Sequence, residues 1–265
     1  MPGGAYELRL LERYFAPLVR LRLLAFGVAL SFRGPLLAIE TSGAAAAVAL
    51  LSSGGVVEIT WDSPRPHSER LLPALDQLLA LASLRLADVA GFAISIGPGS
   101  FTGLRVGLAT LKGLAFADSR PIAAVPTLAA RAAAAEGVPG PVAALLDARR
   151  GEVYAACFSA PGALAADVLA ESVYRPEALA ARLPQQSALV LDAGAADCAH
   201  QLCHLRPDLR PLPLPLGRPR AACVAQLGRR ILATPAAALS ADSLHPRYLR
   251  RPAAEALRTG HPLEP

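Results

Sequence analysis

Gly97-Pro98-Gly99-Ser100-Phe101-Thr102-Gly103 joins two stretches of different hydrophobic period, and that junction decides the fold. Before it, residues 89–96 form a continuous apolar run with the length of a buried strand. After it, Leu104, Leu108, Leu111 and Ala115 recur at helical spacing and predict a helix over residues 102–117. A buried strand that feeds a glycine-rich turn and a helix N-terminus indicates an α/β chain. It is also a generic anion site, because free N–H groups and the helix dipole both favour a phosphate. The stretch is not a P-loop, since no Gly-Lys-Ser/Thr follows it. Thr102 stands where a dinucleotide fingerprint needs glycine, and Gly-x-Ser-x-Gly fails around Ser100, which removes a nucleophile elbow. Gly97, Gly99, Ser100 and Thr102 are therefore candidates for a nucleotide or phosphate loop. The competing reading is a tight turn whose Ser100 or Thr102 caps the helix.

The chain upstream reads as a strand meander. Residues 36–40 are apolar and end on Glu40, Thr41-Ser42-Gly43 turns, and residues 44–51 run back. Ser52-Ser53-Gly54-Gly55 turns again into residues 56–61, rich in the β-branched residues that strands favour. Pro64-Arg65-Pro66 breaks the chain. Residues 67–81 then carry Leu71, Leu72, Leu75, Leu78 and Leu79 on one helical face. Residues 121–125 predict a further strand and residues 127–136 a further helix.

Gly137-Val138-Pro139-Gly140-Pro141 marks a lobe boundary, and beyond it the pattern restarts. Residues 142–147 are an apolar strand ending on Asp147, Ala148-Arg149-Arg150-Gly151 turns, and residues 152–158 return. Strand, acid, turn and strand thus occur twice, which points to two related lobes. Later elements are a strand over residues 189–192, helices over 195–204 and 221–232, and an extended proline-rich segment over 207–219. The expected organisation is an N-terminal extension over residues 1–34, one lobe over 35–138, a second over 139–250 and a flexible tail over 251–265.

Two acids at strand ends suit phosphotransfer chemistry, in which such residues hold a metal or orient water. Glu40, Thr41, Ser42, Asp147 and Arg149 therefore join the candidates; each acid alone reads equally as a turn residue. The helix after the glycine loop raises a second question. Gly103 and Gly107 lie four apart, and each glycine within a helix costs about 1 kcal/mol relative to alanine. Such a stripe serves close packing, either on the protein's own sheet or on a partner subunit. His200, Cys203 and His204 would share a helix face with Cys198 nearby, and His/Cys at such spacing can hold zinc. No second ligand pair completes a shell, so these read as ordinary helix residues, and no helix-borne metal pair is expected. His67 reads as a surface histidine that starts a helix.

Composition narrows the class. The chain has 265 residues, is 53% hydrophobic, and is skewed toward Ala, Arg, Gly and Pro in the manner of a GC-rich genome. Its net charge of +5 sits in residues 1–33 and in the tail from Arg247, leaving the body near neutral. A neutral body lacks the basic footprint of a strong RNA binder. Four cysteines with no CxxC pair fit a reduced, cytoplasmic protein. Residues 1–34 contain an apolar run too short to span a bilayer, and no small-x-small cleavage site follows it. Their expected explanation is a start assigned too far upstream, with translation beginning near Val28; an amphipathic organelle-targeting helix is the alternative.

Several stretches together resemble one family. Leu37-Ala38-Ile39-Glu40-Thr41-Ser42, Pro66-His67-Ser68-Glu69-Arg70-Leu71-Leu72-Pro73 and the run from Gly97 to Gly107 are similar to the bacterial TsaB (YeaZ) proteins. Asp147-Ala148-Arg149-Arg150-Gly151-Glu152-Val153-Tyr154 and Pro246-Arg247-Tyr248-Leu249-Arg250 continue the match, which spans residues 36–250. The resemblance implies an actin-like ATPase fold (the sugar kinase/Hsp70/actin class) with two lobes, each a mixed sheet flanked by helices. It implies a non-catalytic accessory subunit for N6-threonylcarbamoyladenosine (t6A) synthesis at tRNA position 37. The expected partners are a TsaD-like threonylcarbamoyltransferase as heterodimer partner and a TsaE-like ATPase, with tRNA bound only through the complex and a homodimer in isolation. No membrane association is expected. No cofactor is required, and ATP or ADP is expected at most at the complex interface.

By the same resemblance, the helices starting at His67 and Thr102 pack on the partner as a four-helix bundle. The expected interface is Leu71, Leu75, Leu78, Gly103, Leu104, Gly107, Leu108 and Leu111. The catalytic relatives carry Glu-Thr-Ser-Cys-Asp at the first turn and a His-x-x-x-His metal pair; here the turn continues Gly43-Ala44, in keeping with an accessory role. Asp is frequent at the first strand end in the family, so Glu40 is a mild departure. The alternative function is a small-molecule kinase or ATPase of the same fold, using Glu40 and Asp147. A peptidase role is disfavoured, because no Ser/His/Asp or metal constellation assembles.

Overall fold

Two five-stranded mixed sheets repeat one topology. The computed structural model describes residues 32–62, 66–116, 119–213 and 220–250, and these belong to one compact unit. In the first lobe β1 (Leu36–Glu40), β2 (Ala46–Ser52) and β3 (Gly55–Trp61) form an antiparallel meander. After α1 (His67–Leu81) the chain adds β4 (Gly91–Ser95) parallel to β1. α2 (Phe101–Phe116) leads to β5 (Ile122–Val125), parallel to β4, so the order is β3-β2-β1-β4-β5. α3 (Thr127–Ala133) crosses to the second lobe. There β6 (Val142–Arg149), β7 (Glu152–Phe158) and β8 (Leu169–Tyr174) repeat the meander. α4 (Pro176–Ala180), β9 (Ala188–Leu191), α5 (Ala196–Leu205) and β10 (Arg210–Pro211) complete the order β10-β9-β6-β7-β8. Reading each sheet from its meander edge gives third, second, first, fourth, fifth in both lobes. The duplication inferred from Glu40 and Asp147 is thus a duplication of topology.

The apolar pattern dictates the layers. β1, β2 and β4 are buried on both faces, so each must be covered on both sides. α1 and α2 cover the outer face of the first sheet through Leu71, Leu75, Leu78, Leu104 and Leu111. α4 and α5 cover the outer face of the second through Leu179, Ala180, Ala199 and Leu202. Between the sheets lie α3 and α6 (Ala221–Leu232), rich in alanine, in a core that also holds Leu36, Ala38, Leu146 and Phe158. The small side chains let two sheets share one middle layer.

That middle layer corrects the expected boundary at residues 139–250. α6 follows the second lobe in sequence, yet it packs against β1, β2, β4 and β5 of the first. Its N-terminus is fastened there too: the Glu58 carboxylate on β3 accepts from the Ala222 N–H at 2.8 Å. Residues 239–250 then continue along the first lobe. The sequence reading also left out β8 and α4. The expectations for residues 1–31 and 251–265, and the break at residues 63–65, lie outside the described residues.

Candidate functional site: the cleft between the lobes

The turn after β1 and the N-terminus of α2 meet and lock together. Thr41 Oγ1 donates to the Gly103 carbonyl at 2.8 Å, and Ser100 N–H donates to the Ser42 carbonyl at 2.7 Å. Ser100 Oγ in turn accepts from the Gly103 N–H at 3.2 Å, closing the first turn of the helix. Gly97 N–H donates to Thr127 Oγ1 at 3.0 Å. Three N–H groups that a phosphate cradle would draw on are thereby engaged by the chain itself. The capping reading of Ser100 is what the geometry realises.

Glu40 lies beneath this turn rather than in the open. It is buried, and its Oε1 accepts from the Ser42 N–H at 2.6 Å. A carboxylate in that position shapes the turn. His67 is likewise more than a surface residue: its Nε2 lies 3.1 Å from the Gly43 carbonyl oxygen and its ring stands edge-on to Trp61. It ties the start of α1 to the same turn.

Across from the turn, the second lobe contributes a matching edge. Ser42, Gly99, Ser100, Asp147 and Arg149 line one cavity of about 490 Å³ between the lobes, with Arg150, Tyr154, Asp192, Tyr248 and Arg250. Of the expected loop residues, Glu40 and Thr41 lie buried below this cavity, while Gly97 and Thr102 are not among its lining. Arg150, Tyr154, Asp192, Tyr248 and Arg250 were not among the expected site residues, although all but Asp192 lie in stretches that carry the family resemblance. Asp192 carries a legible signal, since it too follows a buried apolar strand, as Glu40 and Asp147 do.

The two acids of the second lobe hold each other's surroundings. Asp192 Oδ1 accepts from the N–H of Asp147 at 3.3 Å and of Ala195 at 3.1 Å. Burial pushes the Asp192 carboxyl above the ordinary carboxylate range, partly offset by the Arg131 charge and those two N–H groups. Asp147 accepts from the Arg149 N–H at 2.8 Å and pairs with its guanidinium at 3.4 Å. The backbone of this turn is strained: Arg149 and Arg150 have φ of +67° and +57°, the left-handed region that L side chains rarely adopt. The turn therefore holds two consecutive arginines at the mouth of the cleft.

The expected partner residues are corrected by their burial. Leu71, Leu75, Leu78, Gly103, Leu104, Gly107, Leu108 and Leu111 are all enclosed within the chain. A Cβ on Gly103 would collide with the Thr41 carbonyl, and one on Gly107 with Thr41 Oγ1. The glycine stripe thus serves packing of α2 on its own sheet and turn. Exposed on these helices instead are Leu72 and Leu81, nine residues apart and so on opposite flanks of α1, and Ala109, Gly113 and Phe116, which share one face of α2.

The expectation that no helix carries a His pair at metal-ligand spacing needs a correction as well. His200 and His204 do stand at His-x-x-x-His spacing, on α5 in the second lobe, exposed and beside Glu177 in a shallow depression remote from the cleft residues. Among the described residues no group of three or more His, Cys, Asp or Glu is placed to hold a metal ion. None of Cys157, Cys198, Cys203 and Cys223 is joined in a disulfide. Among the described residues no helix is long and apolar enough to cross a membrane.

Comparison with known proteins places this architecture. A family model described as TsaD, tRNA N6-adenosine threonylcarbamoyltransferase, matches residues 27–204. The tRNA threonylcarbamoyladenosine biosynthesis protein TsaB of Haemophilus influenzae is 43% identical over 121 residues, 45% of this chain and 51% of that protein. TsaB of Escherichia coli is 36% identical over 155 residues, 57% of this chain and 67% of that protein. The chain thus spans about half to two thirds of the length of these curated relatives. The solved structure of YeaZ from Pseudomonas aeruginosa superposes with a TM-score of 0.68 at 33% identity, covering 82% of this chain and 100% of that one. The fold is the two-lobed actin-like fold, and the chain belongs to the TsaB (YeaZ) family.

Proposed function

We propose that this chain is the non-catalytic accessory subunit in synthesis of t6A at tRNA position 37, scaffolding and activating a TsaD-like threonylcarbamoyltransferase. The observation that carries this reading is the outer face of the helix pair. α1 and α2 bury their inner sides completely, yet Leu72, Leu81 and Phe116 remain 53%, 62% and 77% exposed. Large apolar groups left exposed on two neighbouring helices favour a protein partner. A catalytic subunit of the same fold would bring an equivalent helix pair to it, giving a four-helix bundle. In isolation the same face would pair with a second copy of the chain.

The cleft supports the accessory role rather than a kinase or ATPase. Glu40, the acid such an enzyme would need on its first lobe, is buried and engaged by its own turn. A TsaE-like ATPase joins the complex, tRNA is held by the assembly, and any ATP or ADP belongs to the complex interface. Modification of tRNA in this way is a cytoplasmic activity. The test is reconstitution with threonylcarbamoyl-AMP, tRNA and a TsaD-like subunit. Adding this chain is expected to raise t6A formation, while the chain alone forms none; t6A formation that does not respond to the chain would overturn the reading.

A further inference from the structure

After α6 the chain turns back along the first lobe. Leu239 exchanges backbone hydrogen bonds with Ile122 at 2.9 and 3.0 Å, Leu244 is fully buried, and Arg247 N–H donates to the Ile96 carbonyl at 2.7 Å. At Gly97 the Arg247 carbonyl oxygen occupies the space a Cβ would need. The side chains of the same segment reach the other way. Arg247 pairs with Glu171 of β8 at 2.8 Å, while Arg250 pairs with Glu152 of β7 and donates to the Ala148 carbonyl at 3.0 Å. Its backbone is thus fastened to one lobe and its guanidinium groups to the other.

We propose that residues 244–250 are a clasp that fixes how far the two lobes open, so that the chain's own arm sets the width of the cleft. The lobes share an apolar core around α3 and α6, but at the cleft they face each other across open space that this arm spans. Tyr248 and Arg250 also form part of the cleft wall.

Both ion pairs suit a device that holds firmly. Glu171 is only 6% exposed in its side chain and its Oε1 has no hydrogen-bond partner, so Arg247 is the charge that compensates its burial. Burial pushes the Glu171 carboxyl up while Arg247 opposes the shift; the Arg250 hydrogen bond holds Glu152 below its ordinary value. Between the two arginines, Tyr248 stacks near Phe101 at 5.1 Å between ring centres, and its hydroxyl accepts from Arg105 Nε at 3.2 Å. The clasp therefore also grips the first turn of α2, and lobe opening would disturb that helix.

Hydrogen exchange read by mass spectrometry on the full chain tests the clasp. Arg247→Ala is expected to speed exchange in residues 169–174 roughly tenfold, and Arg250→Ala to do so in residues 148–158. Amides of β1 and α6 should keep their wild-type rates, and Arg→Lys at either position should recover part of the protection. Arg247→Lys keeps the charge that compensates Glu171, so it reports on residues 169–174, with exchange faster than wild type expected, if an alanine variant does not fold. Wild-type exchange in residues 169–174 of Arg247→Ala would overturn the proposal. So would a rise spread evenly over both sheets, because the pairs would then hold the fold rather than the lobe opening.

Discussion

Thr41 and Gly103 touch at a point where neither can change freely: Thr41 Oγ1 donates to the Gly103 carbonyl at 2.8 Å, and the Thr41 carbonyl fills the space a Gly103 side chain would need. One residue of the first turn thus sets the distance at which α2 rides over the sheet. Gly107, one helical turn on, meets the same Thr41 through its hydroxyl. The glycine stripe, the turn and the buried strand are parts of one contact.

The glycines of α2 should consequently behave in opposite ways. Gly107→Ala is expected to cost about 1–3 kcal/mol, since the added methyl must displace Thr41 in a packed core. Gly113 has nothing within 4 Å of an added Cβ, so Gly113→Ala should stabilise by up to about 1 kcal/mol through helix propensity. Urea denaturation of the two variants checks both signs, and equal effects would contradict the packing described.

Stability and function should part at the arginine turn. Arg150, at φ +57° ahead of Gly151 at φ +75°, occupies a hairpin position that favours asparagine. Arg150→Asn should therefore raise stability by roughly 1 kcal/mol. If the cleft arginines serve the complex, the same variant should lower t6A formation in the reconstituted reaction. Thermal denaturation and the t6A assay on one preparation measure the two effects side by side.

Asp192 should leave a mark on the pH dependence of stability. Burial raises its folded pKa above the ordinary 3.8, so the folded chain holds that proton more tightly than the unfolded chain does. The stabilising contribution is then present at low pH and is lost as pH rises through the folded pKa. Asp192→Asn removes that loss. Between pH 4 and pH 7, wild type should lose stability relative to the variant in urea titrations, and parallel curves would contradict a raised Asp192 carboxyl.

Much of the fold was legible because the strands are continuous apolar runs ended by acids and glycines, as at Glu40, Asp147 and Gly97. Residues 159–187 were not, since β8 alternates weakly and α4 has only 5 residues. The place of α6 was hidden for another reason: an amphipathic helix declares that it has a buried face, not which sheet covers it. Gly103 and Gly107 misled in the same way, because a missing Cβ permits close approach to a partner helix and to the chain's own turn alike. Leu72 and Leu81 lie in the same helical run as Leu71, Leu75 and Leu78, and only the packing separates the outward leucines from the buried ones. In the cleft, Asp147 and the glycine loop were readable, whereas Tyr248 and Arg250 arrive from a segment more than a hundred residues later in the chain.

On the proposed function, Leu72 of α1 and Phe116 of α2 touch the catalytic subunit, and co-purification with a TsaD-like protein decides it. Phe116→Asp and Leu72→Asp alter exposed side chains, so both variants should keep the wild-type unfolding free energy within about 0.5 kcal/mol. Each folded variant is expected to lose the partner that wild type retains. Retention at the wild-type level by the doubly substituted, folded protein would contradict it.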